Sequence, residues 1–207
     1  MSTTIYGESI VEAIAAGNDE EVLAAVAAGL APEARSHYGL PLLLEAAARG
    51  SADLVRALLD LGAAVGSRST GGWTALSMAA QKRHDSTCGA LLDRGADANA
   101  RDNDGWAALM HAARNGHDST CGVLLDRGAD ADAQAEDGWA ALMHAARNGH
   151  DSTCGVLLDR GADVDARNQD GGTALMAAVC RNTETATWML LSRGADPDIE
   201  THNGMTA

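Results

Sequence analysis

Phenylalanine is absent from this chain of 207 residues, and aromatic residues together make up only 3%. A core without Phe must be built from Leu, Ala, Val and Met. Small side chains of that kind suit closely packed helices better than a β-sandwich. Cations are scarce as well: 15 Lys and Arg stand against 29 Asp and Glu, for a net charge of −14 with His neutral. Binding to nucleic acid needs clustered cations to neutralise phosphates, so that class of partner is disfavoured. An anionic membrane surface would repel the chain, whereas solubility and cationic partners are favoured. No apolar run reaches the roughly 18 residues of a membrane span. The opening stretch, MSTTIYGESIVEAIAAGNDEE, lacks the basic start and apolar stretch of a signal peptide. The four cysteines, Cys88, Cys121, Cys154 and Cys180, do not resemble a disulfide framework. A reducing compartment, cytoplasmic or otherwise intracellular, is the expected home. Neither G-x-x-x-x-G-K-[ST] nor G-x-G-x-x-G occurs in context, so no phosphate loop and no nucleotide cofactor is expected.

What is present is repetition. The stretch DGWAALMHAARNGHDSTCGVLLDRGAD runs from Asp104 to Asp130 and again, letter for letter, from Asp137 to Asp163. Gly72, Gly105, Gly138, Gly171 and Gly204 each open an equivalent block, and every interval is 33 residues. The register extends back to Gly39. One block earlier still, Ala13, Gly17 and Gly29 align with Ala46, Gly50 and Gly62. Hydrophobic residues make up 46% of the chain, so these blocks are not a disordered polar tract.

One block can be read physically. Leu109, Ala112 and Ala113 sit at helical spacing in a short segment, about 107–115, that Gly116 ends, since Gly tolerates the left-handed conformation past a helix terminus. A second helix is expected over about 118–127, with Asp118 and Ser119 as caps. Cys121, Leu124 and Leu125 form its apolar stripe at i, i+3 and i+4. Gly128 stops it, and the polar stretch ADADAQAEDG reads as a projecting turn. So short a helix pair cannot bury its own apolar face, and stacking on neighbouring copies supplies the burial. A duplicated unit therefore presents the surfaces its neighbours need.

These features resemble the ankyrin repeat, whose period is also 33 residues. GWTALSMAA at Gly72–Ala80 and GGTALMAAV at Gly171–Val179 resemble the family's G-x-T-P-L-H-x-A-A opening. NGHDSTCGVLLDRGAD resembles its G-H…L-L-x-x-G-A-D closing. The resemblance implies an all-α solenoid of stacked helix-turn-helix units with β-turn fingers, a single domain over 1–207. Its units would be a degenerate cap at about 6–35, then 36–68, 69–101, 102–134, 135–167 and 168–200, with a stub at 201–207. It also implies that the recurring His is structural and that the second-helix Cys is a core residue.

Departures from the family pattern carry expectations of their own. Ala107 and Ala140 replace the threonine that Thr74 and Thr173 keep, and Ser77, Met110, Met143 and Met176 stand at the usual His position. The hydrogen-bond network between units should be thinner, with Met filling space. Gly89, Gly122 and Gly155 lie inside the second helix, at a position that faces outward in the family, and Trp188 occupies it in the sixth unit. Each such glycine should cost roughly 1 kcal/mol against Ala.

Neither catalysis nor metal binding follows from the recurring His, Asp and Cys. His84, His117 and His150 recur beside Asp85, Asp118 and Asp151 and near Cys88, Cys121 and Cys154, a pattern from which a Cys–His–Asp nucleophile can be imagined. Three repetitions argue against a catalytic site, and no catalytic residue is assigned. Zinc needs ligands converging on one point, whereas cysteines on successive helices, with axes about 8–10 Å apart, form a ladder. The same separation opposes disulfides, and no metal is expected. Cys180 lies on a first helix and reads as a lone exposed thiol.

The remaining candidates are surface rows. Trp73, Trp106 and Trp139 follow the repeat-opening glycine, a position that the resemblance places on the finger, facing the concave groove. Such a strip either forms a binding hot spot or packs finger on finger and stiffens the array. Lys82, Arg114, Arg147 and Arg181 should line the nearby end of the first helix. Asn103, Asp104, Glu136, Asp137 and Asp170 should sit at the finger tips, and both charged rows also read as solvated faces. The function so implied is a non-enzymatic protein-binding module using its concave surface. A structural spacer or self-associating scaffold, engineered or expanded by duplication, is the alternative, as is the targeting region of a larger enzyme. The chain should be monomeric, or weakly self-associating through an uncapped sixth repeat.

Overall fold

The apolar spacing of each repeat closes two short helices. A computed structural model describes residues 39–207 continuously and, before them, residues 13, 16, 18–29, 31 and 33–36. Gly17 and much of the degenerate unit expected at 6–35 lie outside the described residues. Among the described residues there are eleven helices: α1 (Asp19–Ala27), α2 (Leu42–Arg49), α3 (Ala52–Asp60), α4 (Ala75–Gln81), α5 (Asp85–Asp93), α6 (Ala108–Arg114), α7 (Asp118–Leu125), α8 (Ala141–Arg147), α9 (Asp151–Asp159), α10 (Ala174–Cys180) and α11 (Glu184–Ser192). No described helix is long and apolar enough to cross a membrane.

The chain divides into two compact units, one ending at Asp97 and one spanning Ala98–Ala207. In the first, α2 packs on α4 and α3 on α5; in the second, α6, α8 and α10 stack in sequence, as do α7, α9 and α11. First helices thus meet first helices, and second helices meet second helices, within each unit. The core is aliphatic, as the lack of Phe requires. Leu109, Met110, Leu124, Met143 and Leu157 are fully buried in the second unit, and Leu43, Leu54, Leu58, Leu76 and Leu91 in the first. The methionines at the family's His position fill space as expected. Cys88, Cys121 and Cys154 are wholly buried among them.

Helix starts follow the erosion of the threonine. Thr74 accepts the Ser77 N–H at 3.1 Å while Ser77 Oγ accepts the Thr74 N–H at 2.9 Å, a reciprocal box that satisfies two orphan amides. Thr173 accepts the Met176 N–H at 3.4 Å, whereas Ala107 and Ala140 make no such bond. The second helix starts differently from expectation. His117 holds the N-cap position without a side-chain capping bond, and Asp118 accepts the Ser119 N–H at 2.9 Å inside the first turn.

The turn between paired helices is fixed by contact as well as by conformation. Gly116 has φ +71°, and a Cβ there would meet the His150 ring at 2.6 Å. That ring lies where it does because His150 Nε2 donates to the Arg114 carbonyl at 3.0 Å. In the first unit His84 makes the same reach to the Ala48 carbonyl at 3.2 Å over Gly50. In the sixth repeat Thr183 replaces the imidazole and donates to Ala146 O at 3.0 Å. The recurring His is therefore a strap between repeats.

Between repeats the chain forms hairpin turns. Residues 68 and 74, 101 and 107, and 134 and 140 face each other as antiparallel bridges, and the glycine at each tip adopts positive φ. The stub continues the series: Thr201 N–H donates to Met205 O at 2.8 Å, and His202 N–H to Asp170 O at 2.9 Å. Polar bonds from loop to loop, such as Asp130 N–H to Asn99 Oδ1 at 2.8 Å and Asp163 N–H to Asp132 Oδ1 at 2.8 Å, tie successive copies in the second unit.

Candidate functional site

In the second unit the finger turns bring each tryptophan over the first helix of its own repeat. Trp106 is half-buried. It packs on Met110 and on Ala133 and Ala135 of the following turn. Its ring lies 5.1 Å from the ring of His111 and 4.3 Å from that of His144, one repeat on. Trp139 is likewise half-buried, 5.2 Å from His144. Both rings therefore pack on imidazoles, Trp106 on the following turn as well, and both stay partly exposed. Trp73, in the first unit, is also half-buried, and its N–H donates to Ser69 Oγ at 3.1 Å.

Guanidinium groups complete these faces. Arg114 Cζ stands 5.5 Å from the Trp106 ring centroid and Arg147 Cζ 5.3 Å from that of Trp139. Stacking of this kind is favourable and leaves the in-plane N–H donors free for a carboxylate. Arg114, Arg147, Arg181 and, in the first unit, Lys82 are all exposed. The arginines at the ends of the second helices behave otherwise. Arg160 pairs with Asp126 at 2.7 Å, Arg193 with Asp159 at 2.6 Å, and Arg94 with Asp60. Pairing holds the Asp126 carboxyl below its usual range and Arg160 above its own.

A cleft of about 390 Å³ lies among Trp106, Arg114, Asp137, Trp139, His144, Arg147, Asn148 and Arg181. Three guanidiniums face one carboxylate there. The predicted finger-tip residues Asn103, Asp104, Glu136 and Asp137 are all exposed. Asp137 also accepts the Trp139 N–H at 3.0 Å, so it shapes the turn that carries the ring.

Two residues beneath the rings escaped the sequence reading. His111 Nε2 donates to Asp102 Oδ2 at 2.8 Å, and Asp102 Oδ1 accepts the Trp106 N–H at 2.9 Å. One aspartate thus anchors both the backbone amide of Trp106, in the turn that carries the ring, and the imidazole of His111. In the copied repeat the aspartate is Ala135, and the buried His144 Nε2 has no hydrogen-bond partner. Burial is the main cause that lowers the His144 pKa to about 4, and it lowers His111 against the pull of Asp102. The signal was legible: Asp102 and Ala135 differ two residues before the identical stretches begin.

Burial takes the imagined Cys–His–Asp group apart. The Cys88 and Cys154 thiols are pushed up to about 12, mainly by burial, far from the reactive thiolate. The adjacent His84 and His150 are occupied with backbone carbonyls. Cys180 is exposed, as expected for a residue at the open end of a first helix. Among the described residues no three His, Cys, Asp or Glu side chains gather as a metal site would require.

The 33-residue period, the paired helices stacked like on like, the histidine straps and the hairpin turns are one architecture. A family model for ankyrin repeats matches the chain in three overlapping copies, over residues 10–102, 43–135 and 109–201. A search of curated proteins gives no match. On the fold and these matches together, the chain is an all-α ankyrin-repeat solenoid and belongs to the ankyrin repeat family, whose repeats are generally protein–protein interaction modules and typically non-enzymatic.

Proposed function

We propose that this chain is a non-enzymatic, intracellular binding module. It would take a protein partner on the concave face formed by the finger turns and the adjacent ends of the first helices. The observation that carries the reading is the contrast between two sets of arginines. Those at the second-helix ends are paired with Asp60, Asp126 and Asp159, whereas Arg114 and Arg147 lie over half-buried indole rings with no carboxylate bonded. Desolvated Trp and Arg are the side chains on which binding energy concentrates. The 33-residue register runs unbroken through the sequence, so 1–207 is read as one array. In this reading Trp106, Trp139, Arg114, Arg147 and Arg181 supply the attractive surface of the second unit, Trp73 and Lys82 that of the first, and Asn103, Asp104, Glu136 and Asp137 orient the partner at the edge of the second.

Affinity capture with mass spectrometry would supply the partner, and titration would then compare two double variants. Trp106→Ala with Trp139→Ala removes the rings; Arg114→Gln with Arg147→Gln removes only the charges. Each should weaken binding by ~10-fold or more, and the arginine pair should do so with the thermal midpoint little changed. Unchanged affinity in both variants would remove this face from consideration.

A self-associating scaffold is the second reading, favoured by one observation. Trp188 is 73% exposed on α11, and Val179 and Leu191 are exposed on the same helix pair. Sedimentation over a wide concentration range checks it: a mass that rises with concentration and falls back in Trp188→Ser supports association through this repeat.

A further inference from the structure

The indole–imidazole column in the second unit stops at Trp139. Trp106 is covered on its far side by His144, whose ring centroid is 4.3 Å away. The equivalent cover for Trp139 would come from the positions 33 residues beyond Trp139 and His144, and these are Gly172 and Ala177. Neither has a ring. A cleft of about 330 Å³ is left, lined by Trp139, Gly172, Met176, Ala177, Cys180 and Thr201 and also by Arg147 and Arg181. That volume is at the small end of ligand pockets, roughly 300–1,000 Å³, a size for one side chain. The lining is largely apolar, so the occupant should be apolar too. The chain itself shows what packs against this indole one repeat earlier: a flat ring.

The surroundings set the charge of what carries that ring. The neighbouring cleft has Arg114, Arg147 and Arg181 on its wall against the single carboxylate of Asp137. In a chain of net charge −14, an acidic segment is repelled in general and held only where guanidiniums remain uncompensated. We propose that the cleft beside Trp139 receives one aromatic side chain of an acidic peptide segment of the partner, with flanking carboxylates on Arg114, Arg147 and Arg181. The assignment rests on the binding face proposed above and gives it a specific occupant.

The probe is a five-residue peptide with tryptophan at its centre and two acidic residues on each side, compared with the same peptide carrying alanine at the centre. Both are titrated into the full chain and followed by amide shifts and by the alkylation rate of Cys180. The tryptophan peptide should shift the amides of Gly172, Ala177 and Thr201 and slow Cys180 alkylation. The alanine peptide should bind ~10-fold more weakly. Ala177→His places in the cleft the ring that the chain carries at His144, and should lower affinity for the tryptophan peptide to the alanine level. Prior alkylation of Cys180 in the unmutated chain should do the same, which covers the case of a poorly folded variant. Equal binding of the two peptides, no binding of either, or full affinity after Cys180 alkylation would overturn the proposal. If the peptides bind equally and Arg114→Gln with Arg147→Gln weakens both, the cleft assignment fails while the binding face survives. If the captured partner ignores the tryptophan and arginine variants alike, the face itself fails.

Discussion

At residue scale, the copied repeat is not a copy in its chemistry. His111 and His144 occupy the same place in identical stretches, yet only His111 has a carboxylate, because Asp102 has become Ala135. Burial holds His144 neutral down to about pH 4, whereas an ordinary imidazole titrates near 6.5. Between those values the unfolded chain takes up a proton that the folded chain refuses. Stability contributed by neutral His144 is therefore complete above about 6.5 and lost as pH falls toward 4, by up to roughly 3 kcal/mol. Ala135→Asp should place a carboxylate beside Nε2, raise the imidazole pKa and flatten that loss. Ring titration by NMR, with urea unfolding at pH 7 and pH 5, checks both parts; a His144 pKa still near 4 would sink the account. The converse change, Asp102→Ala, should cost ~1–3 kcal/mol by leaving His111 and the Trp106 amide without their acceptor.

At the scale of elements, the glycines separate into two kinds. Gly122 and Gly155 lie inside second helices. A Cβ at Gly122 would meet Arg160 at 3.3 Å, and one at Gly155 would meet Met189 at 3.9 Å. The outward position expected from the family thus lies against the next second helix, and Gly89 and Gly122 are buried. Gly155→Ala makes ordinary contact only, so it should stabilise by ~0.5–1 kcal/mol through helix propensity. Gly138→Ala should destabilise, because φ is +80° and the Cβ would meet the backbone nitrogen of Gln169 at 2.5 Å. Urea unfolding of the pair should therefore show shifts of opposite sign. These elements were legible to a good degree. The 33-residue register and the glycine stops gave each helix pair nearly to the residue, because both depend on local spacing. Helix caps were less legible: Asp118 and Ser119 suit a cap by type, but the chain turns one residue earlier, at His117. The Asp102–His111 bond was missed since, although it lies within one repeat, it joins a finger to a first helix nine residues on and forms only when the turn folds back over that helix. The cleft beside Trp139 follows from what Gly172 and Ala177 lack, which becomes visible only once the column of rings is in place.

At the scale of the whole molecule, charge location matters more than charge total. Arg147 and Arg160 are both exposed arginines of the second unit, and replacing either by Gln removes one positive charge from a chain at −14. Any effect of net charge on solubility or long-range repulsion is the same for both. Their settings differ. Arg160 is bonded to Asp126 through two nitrogens, at 2.7 and 3.3 Å, at the end of the second helices. Arg147 lies over the Trp139 ring and lines both clefts. Exposed ion pairs contribute little to stability, so Arg160→Gln should leave unfolding nearly unchanged and partner affinity unaltered. Arg147→Gln should lower partner affinity and make its salt dependence shallower, because one screened attraction has gone. Titrations at low and high salt, with the two variants side by side, give the answer directly. Equal losses would show that the partner senses only total charge; a loss confined to Arg147→Gln would locate binding at the tryptophan-bearing face.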